Sequence, residues 1–266
     1  LKPSGGSKAP RHSASKGMED LMAKDLRARS SPAIEYASLM VSEVRHPIQN
    51  PKCMVCDGTV ECTAKGNRII VRDVYTGYRK RVIVNERPGV NFLCLSDADP
   101  EDAVVTGDAE GAIRKWCVRT GRMLYKFEGH TKMVSRLLYS PEEDALFSAS
   151  ADRTIRKWNP RTGECLGVMT GHTMMVTCLA ICTRDRALFS GSGDKTVKKW
   201  STADCTLLTT MAGHQMPVCA LEVNERDNVL LSLEWGGMGQ LRFALDTGVM
   251  LNASFNKEYS TTVILL

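Results

Sequence analysis

The chain has 266 residues, of which 43% are hydrophobic and 24% are charged, and its formal net charge is +5. This is ordinary globular composition, with enough apolar residues for a sizeable core. No apolar run approaches the length of a membrane-spanning helix, so we expect no membrane insertion.

The positive charge is concentrated at the start of the chain. Residues 1–30 hold seven basic and three acidic side chains, so the remaining residues carry a net charge of only +1. Because 1–36 is rich in Ser, Gly, Lys and Pro, we predict a basic, largely disordered leader, in which 18–29 could form a short helix. The rest, 37–266, lacks the concentrated basic footprint of a nucleic-acid-binding domain, so we do not expect nucleic acid as a partner.

The ten cysteines are scattered through apolar segments. Cys53-x-x-Cys56 could suggest zinc or redox chemistry, but a zinc site would need a second ligand pair at matching spacing, and the sequence offers none. We therefore expect reduced, buried thiols, no metal and no other cofactor. This favours an intracellular protein, cytoplasmic in the first instance, with the nucleus as the alternative.

A period of 42 residues runs through the middle of the chain. The repeated markers are Trp116, Trp158 and Trp200, and the Gly-His dipeptides that end at His130, His172 and His214. Thr-Gly dipeptides recur at nearly the same spacing, and Asp204-Cys205 occupies the corresponding position in the fourth unit. Short apolar or alternating runs between turn formers predict four short antiparallel strands in each unit. One such sheet cannot cover both of its own faces, so we expect the sheets to stack radially into a ring.

These markers resemble the WD-repeat (WD40-type) β-propeller family. The resemblance covers about residues 38–266, and it rests on Gly-His, Ser-x-x-x-Asp-x-Thr-Ile/Val-x-x-Trp and Thr-Gly, in that order. It implies an all-β propeller of four-stranded antiparallel blades at 47–86, 88–128, 131–170, 173–212 and 215–253. A sixth blade is expected to begin near Tyr259, with Ser38–Val44 as a closing strand. The propeller of 37–266 is then truncated at its C-terminus, and the intact protein is expected to have seven blades.

By the same resemblance, the third and fourth blades carry a buried structural tetrad. Its members are His130, Ser148, Asp152 and Trp158, and then His172, Ser190, Asp194 and Trp200. Ser, His and Asp together could suggest a hydrolase, but the set recurs at a structural position and its serine would be buried. We therefore expect no enzyme and no catalytic residues. The other blades depart from the pattern, with Arg72 for Trp in the first, Glu110 for Asp in the second, and Phe243 and Gly237 for Trp and Asp in the fifth.

In such a propeller, the residues after each His surround the central channel on one face, here called the top face. They are Lys132, Met133, Met174, Met175, Met216 and Pro217, with Arg153 and Lys195 in the neighbouring turns. An adaptable apolar centre with a basic rim suits a peptide that carries an acidic or phosphorylated residue. The alternative is that the methionines pack against adjacent loops.

Lysines precede the three tryptophans, at Lys115, Lys157 and Lys199. With Arg119, Arg122 and Arg161 they could form an anionic partner site towards the opposite face. We prefer the interpretation that the lysines extend to solvent along their stems, because the acidic runs 97–102 and 142–144 mix the sign of the charge there.

The function that the sequence predicts is a non-catalytic scaffold that mediates protein–protein interactions in a multi-protein complex. A substrate-recognition subunit of a ubiquitin ligase and an RNA-associated scaffold are the alternatives, because one propeller fold serves many functions.

Overall fold

The computed structural model of the chain describes residues 54–56, 60–85, 90–96, 103–237 and 239–255. The predicted leader, the closing strand at 38–44 and the sixth blade lie outside these residues. The described part of the chain contains no helix that is long and apolar enough to cross a membrane.

The described strands form five separate four-stranded sheets, each antiparallel and paired in chain order. The first contains β1 (Met54–Cys56), β2 (Val60–Lys65), β3 (Arg68–Asp73) and β4 (Arg79–Val84). The second contains β5 (Val90–Ser96), β6 (Ala103–Asp108), β7 (Ile113–Cys117) and β8 (Met123–Phe127). The third contains β9 (Val134–Ser140), β10 (Ala145–Ser150), β11 (Ile155–Trp158) and β12 (Cys165–Met169).

The last two sheets repeat the arrangement. The fourth contains β13 (Val176–Cys182), β14 (Ala187–Ser192), β15 (Val197–Ser201) and β16 (Leu207–Met211). The fifth contains β17 (Val218–Asn224), β18 (Val229–Glu234), β19 (Gly239–Ala244) and β20 (Met250–Phe255), with a short 3₁₀ turn at Trp235–Gly237. The predicted all-β propeller architecture of four-stranded blades is confirmed, and the fifth sheet runs two residues past its predicted end at 253.

Burial within each sheet follows from stacking against neighbouring sheets. All six residues of β6, of β10 and of β14 are buried, so these second strands have no solvent-facing side. The outer strand β12 instead alternates, with Leu166 and Val168 exposed. The core lies between sheets, where Phe127 of β8 meets the edge of Trp158 in β11 at a ring-centroid distance of 5.8 Å.

The turn between the third and fourth strands of a sheet needs a left-handed residue. Glycine supplies it in four sheets, with φ between 68° and 78° at Gly77, Gly121, Gly163 and Gly248. In the fourth sheet Cys205 takes the same conformation, with φ of 61°. The substitution of Asp204-Cys205 for Thr-Gly therefore keeps the turn at a conformational cost of about 1–2 kcal/mol.

The three lysines before the tryptophans are not solvent-exposed, so the prediction that they extend to solvent is wrong. Their ammonium groups donate to backbone carbonyls of the next sheet: Lys115 Nζ to Pro160 O at 3.0 Å, Lys157 Nζ to Thr202 O at 2.8 Å, and Lys199 Nζ to Leu245 O at 2.5 Å. Each acceptor lies two residues after the tryptophan position of its sheet. We call this repeated interaction the lysine ladder. Because its members are turned into the interface between sheets, they do not form an anionic partner site either.

Candidate functional site

The third sheet brings its predicted tetrad together. His130 Nδ1 lies 2.7 Å from Asp152 Oδ2, and His130 Nε2 lies 2.7 Å from Ser148 Oγ. Trp158 Nε1–H donates to the same Ser148 Oγ at 2.8 Å. An ionised carboxylate can only accept, so Nδ1 carries the imidazole proton and Ser148 donates to Nε2. The result is one directed chain of hydrogen bonds from the indole to the carboxylate.

The fourth sheet repeats the same chain at the same spacing. His172 lies 2.8 Å from both Asp194 Oδ2 and Ser190 Oγ, and Trp200 Nε1–H donates to Ser190 Oγ at 2.8 Å. The carboxylate also accepts from the backbone N–H of Thr173 at 2.9 Å. The tetrad therefore fixes the start of the loop that leads to the top face.

The electrostatics of the tetrad keep the imidazole neutral and the carboxylate charged. Burial lowers the pKa of His130 below its ordinary value, against the opposing effect of Asp152. Burial opposes ionisation of Asp152, but hydrogen bonds from Thr154 and His130 outweigh it and lower the pKa of that carboxyl to about 2. Ser148 is 0% exposed and its hydroxyl is engaged by the indole, so it is not placed to attack a substrate.

The second sheet departs from this scheme, with an Asp–Arg pair that the sequence analysis missed. Asp108 Oδ2 accepts from Arg114 Nη1 at 2.8 Å, and both side chains are almost fully buried. Asp108 Oδ1 accepts from the backbone N–H groups of Glu110 at 3.0 Å and Ala112 at 2.8 Å, so Asp108 holds the turn. Trp116 Nε1–H donates to Thr106 Oγ1 at 3.1 Å, which preserves the indole partner.

In the fifth sheet a glutamate takes the place of the tetrad aspartate. Glu234 Oε1 lies 3.1 Å from His214 Nδ1, while Ser232 Oγ lies 2.7 Å from His214 Nε2. Glu234 is 1% exposed and stands at the end of its strand, where the second sheet has Asp108. Because the aspartate was expected in the turn, at Gly237, the role of Glu234 at the strand end was not predicted.

The first sheet replaces the tryptophan with a charged pair. Arg72 Nη1 lies 3.5 Å from Glu61 Oε1, and the two side chains are 39% and 31% exposed. Among the described residues this position therefore offers an ion pair at the surface in place of a buried indole.

The predicted top-face residues are exposed to different degrees. Met174 and Met216 are 54% and 44% exposed, whereas Met133, Met175 and Pro217 are half-buried. The segments after each His are tied to the facing turns by equivalent backbone hydrogen bonds: Ala151 N to Met133 O at 2.8 Å, Gly193 N to Met175 O at 2.9 Å, and Trp235 N to Pro217 O at 2.8 Å. Three loops with the same backbone support therefore present the methionines.

Trp235 belongs to this surface and was missed by the sequence analysis. Its backbone hydrogen bond to Pro217 O is the counterpart of the one made by Gly193, so Trp235 lies beside the segment that carries Met216. Trp235 is 41% exposed. The fourth sheet has a glycine at the equivalent position. This replacement of a glycine by a tryptophan is the sequence feature from which the exposed Trp235 could have been predicted.

The basic residues of the rim are held in defined positions. Arg153 and Lys195 are exposed and adopt left-handed backbone conformations, with φ of 74° and 68°. Their N–H groups donate to Ser150 O and Ser192 O, each at 3.2 Å. Lys132 is also exposed. The top face thus combines exposed apolar side chains with three cations.

Comparisons with known proteins agree with this architecture. A family model described as "WD domain, G-beta repeat" matches residues 121–159 and 163–201. A search of curated proteins by sequence gave no match. The solved structure of a computationally designed protein, Ika8, is 27% identical with a TM-score of 0.68, and the alignment covers 76% of this chain and 61% of that one.

A second solved structure, titled as the mitotic checkpoint complex, contains a chain that is 19% identical with a TM-score of 0.68. That alignment covers 77% of this chain and 65% of the other, so this chain spans less than two thirds of either relative. The matched segments are therefore two WD repeats, and they lie within an all-β, propeller-like arrangement of five described four-stranded sheets.

Proposed function

We propose that the protein is a non-catalytic scaffold whose top face binds a peptide segment that carries an acidic or phosphorylated residue. WD-repeat propellers generally mediate protein–protein interactions. The observation that carries the proposal is the exposure of three large apolar side chains on this one face, Met174 at 54%, Met216 at 44% and Trp235 at 41%.

These side chains suit a peptide partner. Methionine is flexible and polarisable, so it adapts to different apolar residues, while a partly exposed tryptophan offers a large rigid contact. Gly193 is buried beside the methionines, because a side-chain carbon there would lie 3.4 Å from Met174 Cβ and 3.6 Å from Met175 Cγ.

The charge of the rim selects the partner's chemistry. Lys132, Arg153 and Lys195 are exposed cations, whereas the carboxylates of Asp152 and Asp194 are already engaged by the tetrad histidines and by backbone N–H groups. Those carboxylates are therefore poorly placed to compete for the cations. A carboxylate or phosphate on a bound peptide would make charge-assisted hydrogen bonds with the rim.

We also propose that the scaffold works inside the cell, in the cytoplasm or the nucleus. Free thiols among the described residues include Cys165, Cys178, Cys182, Cys205 and Cys219. Burial raises the pKa of Cys178 to about 12 and that of Cys219 to about 11, so these thiols are inert packing groups. Several unpaired cysteines in one sheet assembly fit a reducing compartment.

Selection of peptides on the full chain tests the proposal. A library containing acidic, phosphorylated and neutral peptides is expected to yield ligands that pair an apolar residue with an acidic or phosphorylated one. Their affinity should fall about tenfold or more in Arg153→Gln/Lys195→Gln and in Met174→Ser/Met216→Ser. Arg226→Gln, an exposed change in the turn between β17 and β18, serves as the matched control. Equal binding by all four proteins would refute the assignment of the top face.

A further inference from the structure

We propose that a second surface, on the first two sheets, binds single-stranded nucleic acid. We call it the tyrosine–arginine patch and define it as residues 72–81 together with the turn 118–122. It goes beyond the peptide site, which the third, fourth and fifth sheets form.

Two tyrosines protrude from one turn of the patch. Tyr75 and Tyr78 are 82% and 79% exposed, so the two phenol rings bury little surface within the described part of the chain. Packing of the first sheet does not explain two such rings at neighbouring positions. Bases of an unpaired strand stack on exposed aromatic rings of this kind without requiring a particular sequence.

The turn that carries the rings is held in one shape. Asp73 Oδ1 accepts from the backbone N–H groups of Tyr75 at 3.0 Å and Thr76 at 2.9 Å, and Gly77 N–H donates to Asp73 O at 2.9 Å. Gly77 has φ of 68°, which few other residues adopt readily. A preorganised turn loses less conformational entropy when a ligand binds to its side chains.

Positive charge surrounds the rings. The patch contains six basic side chains and one carboxylate: Arg72, Arg79, Lys80, Arg81, Arg119 and Arg122, against Asp73. That carboxylate lies 2.8 Å from Lys80 Nζ, so it is already neutralised. Arg79 is paired across the sheet from Arg72, whose guanidinium already lies 3.5 Å from Glu61 Oε1. Arg79 is therefore the cation of this pair that a phosphate of the bound strand would approach.

The basic residues of the two sheets form one continuous surface. Arg81 Nη1 donates to Thr120 O at 3.0 Å, and a side-chain carbon at Gly121 would lie only 3.1 Å from Arg81 Cδ. The outer strand of the first sheet therefore touches the turn of the second, on which Arg119 and Arg122 flank the contact. A strand of several nucleotides could follow this line of cations.

The geometry favours an unpaired strand over a duplex or a membrane. Bases in a duplex are already stacked, so they would leave both tyrosine rings without a role. The net charge of the whole folded region, on which the expectation against nucleic acid rested, hides a local excess of this kind. The acidic run 97–102 lies outside the described residues, and the patch is defined without it.

Fluorescence anisotropy on the full chain tests the proposal, with oligouridylate and oligothymidylate of about twelve nucleotides as probes. A duplex of the same length and vesicles containing phosphatidylserine are the comparison ligands. Each tyrosine is expected to contribute a factor of about five to a hundred to the affinity. Tyr75→Ala/Tyr78→Ala leaves the charge unchanged, so its loss of binding reports stacking, and Tyr125→Ala on β8 is the matched control.

A second variant tests how much the basic side chains of the patch contribute to binding. Arg79→Gln/Arg122→Gln is expected to reduce the salt dependence of the binding constant by about 1.4 in logarithmic slope, whereas Arg226→Gln leaves it unchanged. Unaltered binding in the tyrosine variant would overturn the proposal and assign the affinity to the basic residues 1–30. Equal or tighter binding of the duplex or of the vesicles would also overturn it. Comparable thermal unfolding of all variants shows that the fold is retained.

Discussion

Lys157 Nζ donates to Thr202 O at 2.8 Å and lies 2.9 Å from Glu143 Oε2, so a single ammonium group joins the third sheet to the fourth. Lys115 and Lys199 make the equivalent interactions with the sheets that follow them. A buried carbonyl or carboxylate that loses its partner keeps its desolvation cost. The lysine ladder therefore stabilises the interfaces between sheets, and each of its lysines joins one sheet to the sheet that follows it in the chain.

Replacing the ladder lysine tests this role. Lys157→Met keeps the stem of the side chain but removes the donor, which leaves Thr202 O and Glu143 without their ammonium partner. We expect a loss of about 2 kcal/mol in the free energy of unfolding, measured by urea denaturation. Lys195→Met, at an exposed position, should change it by less than about 0.5 kcal/mol. If the two variants are equally stable, the ladder does not stabilise the interface.

The tetrad serine is expected to matter more than its size suggests. Ser148→Ala removes the acceptor of the Trp158 indole and the donor to His130 together, and both partners are buried. We expect a destabilisation of about 2 kcal/mol by thermal or urea unfolding. Thr170→Ala, at an exposed position after β12, is the control. Equal stability of the two proteins would contradict the hydrogen-bond chain.

The fifth sheet offers a test of the substitute carboxylate. Glu234→Ala leaves the N–H groups of His214 and Gln215 without their acceptor, so it should cost about 2 kcal/mol of unfolding free energy. Glu234→Gln retains an acceptor oxygen and should cost less. Glu222→Ala on β17, which is half-buried, provides the comparison. A Glu234→Ala protein as stable as the Glu222→Ala protein would show that the carboxylate is not part of the network.

Acid is expected to destabilise the propeller in two stages. The folded-state pKa of His130 and that of His172 lie below 6.5, so the unfolded chain takes up protons first. Stability is therefore complete above about pH 6.5 and falls as the pH drops below it. Asp152 and Asp194 have folded-state pKa values of about 2, below the ordinary 3.8, so a second loss follows between about pH 4 and pH 2.

Urea unfolding at a series of pH values checks this order. The free energy of unfolding should be flat above pH 7 and should decline from pH 6.5 to pH 5 before the carboxylates titrate. His172→Asn removes one of the titrating groups, and its decline over that interval should be shallower. A constant free energy from pH 7 down to pH 5 would contradict buried neutral imidazoles.

The sequence was sufficient to predict the sheets because their markers recur within one unit. Interactions between units were not predictable in the same way. The acceptor of Lys115 is the backbone carbonyl of Pro160 in the next sheet, and a carbonyl has no sequence signature. Glu234 was missed for a related reason, since its longer side chain reaches His214 from a strand end where the comparison sought an aspartate in the turn.

The exposure of individual top-face residues could not be predicted from the sequence either. Met174 and Met175 are adjacent and chemically identical, yet Met174 is 54% exposed and Met175 is half-buried. Trp235 stands where the fourth sheet has Gly193, and its place on this face follows only from the hydrogen bond to Pro217 O.

Hydrogen–deuterium exchange of the full chain, with and without a selected acidic or phosphorylated peptide, tests whether the top face is the docking surface. The peptide is expected to slow exchange in the segments 131–133, 173–175 and 215–217 and at Trp235, while the turns at 118–122 and 161–163 stay unchanged. Protection confined to those turns, or to the outer strands, would contradict the assignment of the top face as the docking surface.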